Sequence, residues 1–174
     1  MTLAGGVTRH VPMLIDEDGE FRPDWQRVGD AINDKTRHID NNFPHNPTGA
    51  ILSAVDHDAQ AELERDTDSY IVADEVYEHI VFGGEPHRSL VGHDELWERS
   101  LVISSFGKTV HATGWKLGYC AAPPALTAEF RKIHQFTTFA VSTPMQFGVA
   151  DFLRDNMNWC ADLPAFYEAK RDLF

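Results

Sequence analysis

Three short runs that read as strands, each leading into a polar residue, do most to limit how this chain can fold. Lys35 to Asn42 reads as a strand and opens into Asn-Phe-Pro-His-Asn-Pro-Thr-Gly, from Asn42 to Gly49. Two prolines and a glycine in that stretch exclude regular helix or strand, so it is an ordered loop. Tyr70 to Ala73 is a compact apolar strand that ends in Asp74-Glu75-Val76-Tyr77. Leu101-Val102-Ile103 is another, running into Ser-Ser-Phe-Gly-Lys at Lys108. Between the first two strands, Ala54 to Asp66 is acidic and reads as a solvated helix; a further short helix is expected over Asp94 to Arg99. This alternation predicts an α/β fold, a mostly parallel sheet flanked by helices. Ligands in such sheets sit at the carboxyl ends of the strands. Asn46, Asp74 and Lys108 each lie just past such an end, so one crevice can receive all three.

The remaining segments frame that sheet. Val7 to Met13 alternates loosely and is expected as an edge strand, the one place where Pro12 is tolerated. Asp16 to Gly19 is a turn, and Arg22 to Asn33 carries Trp25, Val28 and Ile32 at helical spacing. After Tyr119 the pattern becomes helical. Pro124 opens a helix with Leu126, Phe130, Ile133, Phe136 and Phe139 in a stripe; Met145, Val149 and Phe152 mark a second. Leu163, Phe166, Lys170 and Leu173 mark a third, expected to be still running at Phe174. These stripes read as core or as partner-facing surface.

Composition narrows the function. A chain of 174 residues with 43% hydrophobic content suits one domain of ordinary size with a real core. A net charge of -12 weighs against nucleic acid or an anionic membrane as partner. Cys120 and Cys160 form neither a metal-type pair nor a disulfide framework, which fits reduced thiols in the cytoplasm. No apolar run approaches a membrane span, and the first residues lack the layout of a signal peptide. The nine histidines show no metal-type pair on one helix face, so no metal is expected. Asp56-His57-Asp58 reads as a solvated helix start.

The groups gathered at the strand ends suggest a chemistry. A lysine presented in a polar turn is a nucleophile towards carbonyls once its amine is partly desolvated. An amine nucleophile, an aspartate, a phenol and a loop asparagine are what a pyridoxal phosphate site needs. The lysine forms an imine with the cofactor aldehyde, and a carboxylate beside the pyridine nitrogen keeps it protonated. A phenol and an amide donate to the ring's 3-oxygen, and a cation with hydroxyls near the lysine can hold the phosphate. Taken singly, each residue has a plainer explanation. Asp74 could cap a strand end, Tyr77 could be a packed aromatic, Asn46 a turn former and Lys116 a surface charge.

Three motifs occur together: Asn46-Pro47-Thr48-Gly49; Asp74-Glu75-Val76-Tyr77; and Ser105-Phe106-Gly107-Lys108 with Thr113-Gly114-Trp115-Lys116-Leu117-Gly118-Tyr119. In that order they resemble the signature of the class I/II aminotransferases, pyridoxal phosphate enzymes of fold type I. The spacings agree: 28 residues from Asn46 to Asp74, 34 from there to Lys108 and eight more to Lys116. The wording of the motifs is most similar to the methionine aminotransferase and kynurenine–glutamine transaminase branch.

The resemblance implies that Lys108 carries the cofactor and shuttles the substrate proton, and that Asp74 pairs with the ring nitrogen. It implies that Asn46 and Tyr77 bind the 3-oxygen and that Ser105 and Lys116 hold the phosphate. Phe139 falls where the branch lines its substrate pocket, with core packing as the equal alternative, and Asn46 borders the same pocket. It further implies a homodimer acting on amino acid and 2-oxo acid substrates of methionine or aromatic type. A cysteine-conjugate β-lyase and a non-catalytic truncated domain are the alternative functions. Family members are much longer, so residues 1–174 are expected to form part of the large cofactor domain. The phosphate-binding glycine loop upstream and the small domain with its carboxylate-binding arginine downstream are expected to lie outside it, leaving this stretch inactive alone.

Overall fold

A computed structural model describes residues 2–174. Strands β1 (Leu14–Ile15) and β2 (Phe21–Arg22) pair antiparallel around the expected Asp16–Gly19 turn. Asp16 closes that turn, its Oδ1 accepting from the backbone N–H of Asp18 at 3.0 Å and of Glu20 at 2.9 Å. The edge strand expected over Val7 to Met13 does not form. That stretch is irregular, with Val7 92% exposed. Its alternation faces no neighbouring strand, and a strand without a partner leaves its amides and carbonyls unpaired. Helix α1 (Trp25–Ala31) is shorter than expected and starts where the Asp24 side chain accepts from the Arg27 N–H.

The main sheet contains β3 (His38–Asn42), β4 (Tyr70–Asp74), β5 (Ser100–Ser105) and β6 (Gly118–Ala121), in that spatial order. The first three run parallel and β6 runs antiparallel to β5. Helix α2 (Ala54–Glu64) crosses from β3 to β4, and α3 (Asp94–Trp97) precedes β5. The one-turn helix α4 (Phe106–Thr109) follows β5 directly. Three longer helices complete the chain: α5 (Pro124–Thr137), α6 (Thr143–Asp155) and α7 (Trp159–Arg171). This is the α/β arrangement expected, a mostly parallel sheet flanked by helices. Its core is formed by Ala61, Ile71, Ala73, Leu90, Leu96 and Val102. Each fully buried aliphatic there contributes about 1.5–3 kcal/mol.

Two helical expectations need correction. Helix α2 is not simply solvated: His57, Gln60, Ala61 and Glu64 form one buried face at spacings of three and four. Gln60 and Glu64 are buried because their polar groups find partners. Asn41 Nδ2 donates to Gln60 Oε1 at 2.8 Å, Gln60 Nε2 to Glu64 Oε1 at 2.7 Å, and Ser69 Oγ to Glu64 Oε2 at 3.1 Å. His57, expected at a solvated helix start, is 4% exposed. Secondly, α7 ends at Arg171 rather than running to Phe174, with Lys170 and Arg171 in its last turn, where cations suit the helix dipole. The stripe on α5 stands outward, with Phe136 88% exposed and Ile133 66% exposed. It is not core within these residues.

Candidate active site

Sheet register sets the site. Asn42 lies opposite Asp74, and Asp74 opposite Ile103, so the carboxyl ends of β3, β4 and β5 lie side by side. From β4 the Asp74 carboxylate emerges half-buried, with Oδ1 accepting from the Val76 N–H at 3.2 Å. Asn42 Nδ2 donates to its other oxygen at 3.4 Å. The Asn42 side chain also turns its carbonyl back to the loop, accepting from the Asn46 N–H at 3.4 Å. Beyond it, Asn46 Nδ2 stands 3.3 Å from the Tyr77 hydroxyl. Lys108, one turn past β5, places Nζ 5.8 Å from the centroid of the Tyr77 ring. A connected path therefore runs Asp74, Asn42, Asn46, Tyr77, Lys108, joining residues far apart in sequence.

Two more of the expected residues lie at the start of α4 and in the segment after it. Ser105 caps α4, accepting from the Gly107 N–H at 3.1 Å, and donates to the Leu117 carbonyl at 3.2 Å. Lys116 is exposed and takes a left-handed backbone, φ 54, just before Leu117. Neither Lys108 nor Lys116 pairs with a carboxylate among the described residues, although the chain carries a net charge of -12. Phe139 is not brought to the others: it lies past the end of α5 at φ 63 and is 80% exposed.

Sequence reasoning missed Asn42 and Glu78. Asn42 opens the loop already marked by its prolines, and its register opposite Asp74 is what gives it a role. Glu78, next to Tyr77, accepts from Ser104 Oγ at 2.6 Å and from the Tyr119 hydroxyl, tying β5 to β6 beside Ser105. Burial and this carboxylate push the Tyr119 phenol up to about 12. On the other face of β4, buried Glu75 accepts from the Leu90 N–H at 3.0 Å and lies 2.9 Å from His87 Nε2. Among the described residues no cluster of three His, Cys, Asp or Glu side chains could hold a metal.

A family model described as aminotransferase class I and II matches residues 1–174. The chain belongs to this family. Methionine aminotransferase of Escherichia coli (strain K12) is 40% identical over 173 residues, covering 99% of this chain and 44% of that protein. The solved structure of YbdL from Escherichia coli, for which a methionine aminotransferase function is identified, superposes with a TM-score of 0.93 at 41% identity. It is covered to 44% of its length by 98% of this chain. N-Succinyldiaminopimelate aminotransferase from Mycobacterium tuberculosis gives a TM-score of 0.92 at 37% identity, with 98% of this chain matching 44% of that one. The chain thus spans less than half the length of the relatives it matches, and its fold is that of the fold type I aminotransferases.

The family depends on pyridoxal phosphate. The donor set here suits that group. It offers an amine that can attack an aldehyde and a carboxylate held by two donors at a strand end. An amide and a phenol 3.3 Å apart can serve one oxygen, and Lys116 lacks a carboxylate partner among the described residues.

Proposed function

We propose that the protein to which this chain belongs is a pyridoxal phosphate-dependent aminotransferase, moving an amino group from an amino acid of methionine or aromatic type to a 2-oxo acid. Residues 1–174 then form part of its cofactor-binding domain, in a homodimeric cytoplasmic enzyme. The observation that carries this reading is the convergence of Lys108 and Tyr77, 5.8 Å apart from Nζ to ring centroid, with Asn46 and Asp74 on the neighbouring strand ends. The substrate type follows the methionine aminotransferase relative and an aromatic-amino-acid aminotransferase from Thermococcus litoralis at 34% identity.

When bound, the cofactor supplies an aldehyde that accepts the amino group and a ring that absorbs the electrons left at the substrate Cα. The protein residues do the rest. Lys108 would hold the cofactor's aldehyde carbon through Nζ, and its amine is the group placed to carry the substrate Cα proton. Asp74 would face the ring nitrogen, where a carboxylate favours its protonated form. Asn42 and the Val76 N–H keep that carboxylate aimed, each within 3.4 Å. Asn46 and Tyr77 donate to the 3-oxygen. Ser105 and Lys116 bind the phosphate, Lys116 as a point charge rather than a bidentate fork. Asn46 borders the substrate pocket of this subunit, and Phe139, apart from it here, is assigned to the pocket of the neighbouring subunit.

The test uses the full-length enzyme with methionine, a 2-oxo acid and the cofactor. Formation of the new amino acid is expected for the native protein and its loss for Lys108→Ala. Native-level turnover by Lys108→Ala would refute the assignment.

A further inference from the structure

The turn that carries Lys108 is held from a distant part of the chain. Helix α4 is a single turn: the carbonyls of Phe106, Gly107 and Lys108 are taken by the Val110 N–H, Thr113 Oγ1 and the His111 N–H, but no helix follows to take that of Thr109. The carbonyl of Thr109 accepts instead from Trp159 Nε1, at 2.6 Å, from the first residue of α7. Two residues on, His111 has φ 54, a left-handed backbone uncommon for a residue with a Cβ. Its ring, on an exposed residue, packs against the same helix. Trp159 meets it edge-on with centroids 5.6 Å apart, Phe166 at 5.8 Å and Tyr167 at 6.0 Å, and the Tyr167 hydroxyl is 3.0 Å from His111 Nε2. Phe152 of α6 buttresses Trp159 edge-on at 5.1 Å. The sheet fixes the chain before Lys108, through Ser105 and the Gly107 N–H. Helix α7 fixes it after Lys108, at one backbone carbonyl and one side chain.

We propose that Trp159 and His111 are positioning residues for Lys108: through them α7 sets where the ε-amine stands relative to Tyr77. A one-turn helix has too few bonds of its own to fix its orientation, and reacting groups tolerate displacements of well under about 1 Å. The inference rests on the assignment of Lys108 as the cofactor lysine.

The test compares three substitutions in the full-length enzyme. Trp159→Phe keeps a ring and removes the N–H. His111→Gly keeps the left-handed backbone and removes the ring. Tyr167→Phe removes only the hydroxyl. Three quantities are read: the apparent Kd for pyridoxal phosphate, the pH midpoint of its long-wavelength absorbance in the loaded enzyme, and the melting temperature without cofactor. Trp159→Phe and His111→Gly are each expected to raise Kd roughly fivefold, the loss of about one hydrogen bond, and to move the pH midpoint. Tyr167→Phe is expected to do the same to a smaller degree. Lower melting temperatures with Kd and midpoint at native values would overturn the proposal, leaving a purely structural role. Where Trp159→Phe does not fold, the other two decide by the same criterion. Lys108→Ala is measured alongside. If it keeps the absorbance band, the lysine assignment itself fails; if it loses the band while the other variants match the native enzyme, only the positioning proposal fails.

Discussion

Gly118→Ala is the substitution whose cost is most directly fixed by the structure. Gly118 opens β6 and pairs with Ser105 across the antiparallel β5–β6 ladder. A Cβ built there would stand 2.6 Å from the carbonyl oxygen of Ser104 and 3.5 Å from Cα of Ser105. The first is a backbone atom that cannot rotate away. The strands must separate by about 0.8 Å to restore an ordinary 3.4 Å contact. Overpacking of this kind costs about 1–3 kcal/mol. The movement also strains the Leu117 carbonyl, which accepts from the Phe106 N–H at 3.1 Å and from Ser105 Oγ at 3.2 Å. Loosening is therefore expected where Lys108 is presented. Hydrogen exchange of the full-length enzyme, read by mass spectrometry, should show amides of Leu117 to Ala121 exchanging roughly five- to a hundredfold faster. Amides of β3 should be unchanged. Gly92→Ala, where an added carbon meets nothing within 4 Å, is the control. Native exchange rates in β6 of Gly118→Ala would refute the reasoning.

Three further outcomes follow from buried and half-buried polar groups. His57 is 4% exposed, and burial, reinforced by the nearby His93, pulls its pKa below the ordinary value. It is neutral in the fold and protonates more readily unfolded, so stability is full above about pH 6.5 and falls as pH drops through the folded value. His57→Gln should flatten that acid limb in melting curves; an unchanged slope would contradict this. Glu64 is 1% exposed, and burial pushes its carboxyl above the usual range against the bonds from Gln60 and Ser69. Its stabilising contribution is complete below the unfolded pKa and is lost as pH rises through the folded one. Glu64→Gln should melt no lower than the native protein at neutral pH and depend less on pH above about 4.5; a lower melting temperature at every pH would contradict it. Asn42→Ala removes two hydrogen bonds, to Asp74 and from Asn46, and should weaken cofactor binding roughly thirtyfold by equilibrium titration. Native affinity would deny Asn42 its role.

The strand ends were legible because their signals agree. Short apolar runs stop at Asp74 and just short of Lys108, and prolines stop the strand before Asn46, so a parallel sheet brings all three to one edge. What sequence could not give was pairwise. Asn42 looks like any polar strand end until the register sets it opposite Asp74. Helix α2 reads as solvated because His57, Gln60 and Glu64 are polar, yet all three line a buried face, Gln60 and Glu64 by bonding to each other and to Asn41 and Ser69. The α5 stripe fails in the opposite sense: periodicity says which side is apolar and nothing about what covers it. The grip of α7 on the lysine turn depends on contacts across fifty residues, through Trp159 and Thr109, that no local pattern announces.

The central claim is that one amine, that of Lys108, holds the cofactor while Lys116 serves only its phosphate. Borohydride reduction of the pyridoxal phosphate-loaded full-length enzyme, followed by peptide mass spectrometry, tests this directly. The account predicts a single pyridoxyl-phosphate adduct on Lys108. An adduct on Lys116 or on another lysine in its place, with Lys108 unmodified, would contradict it.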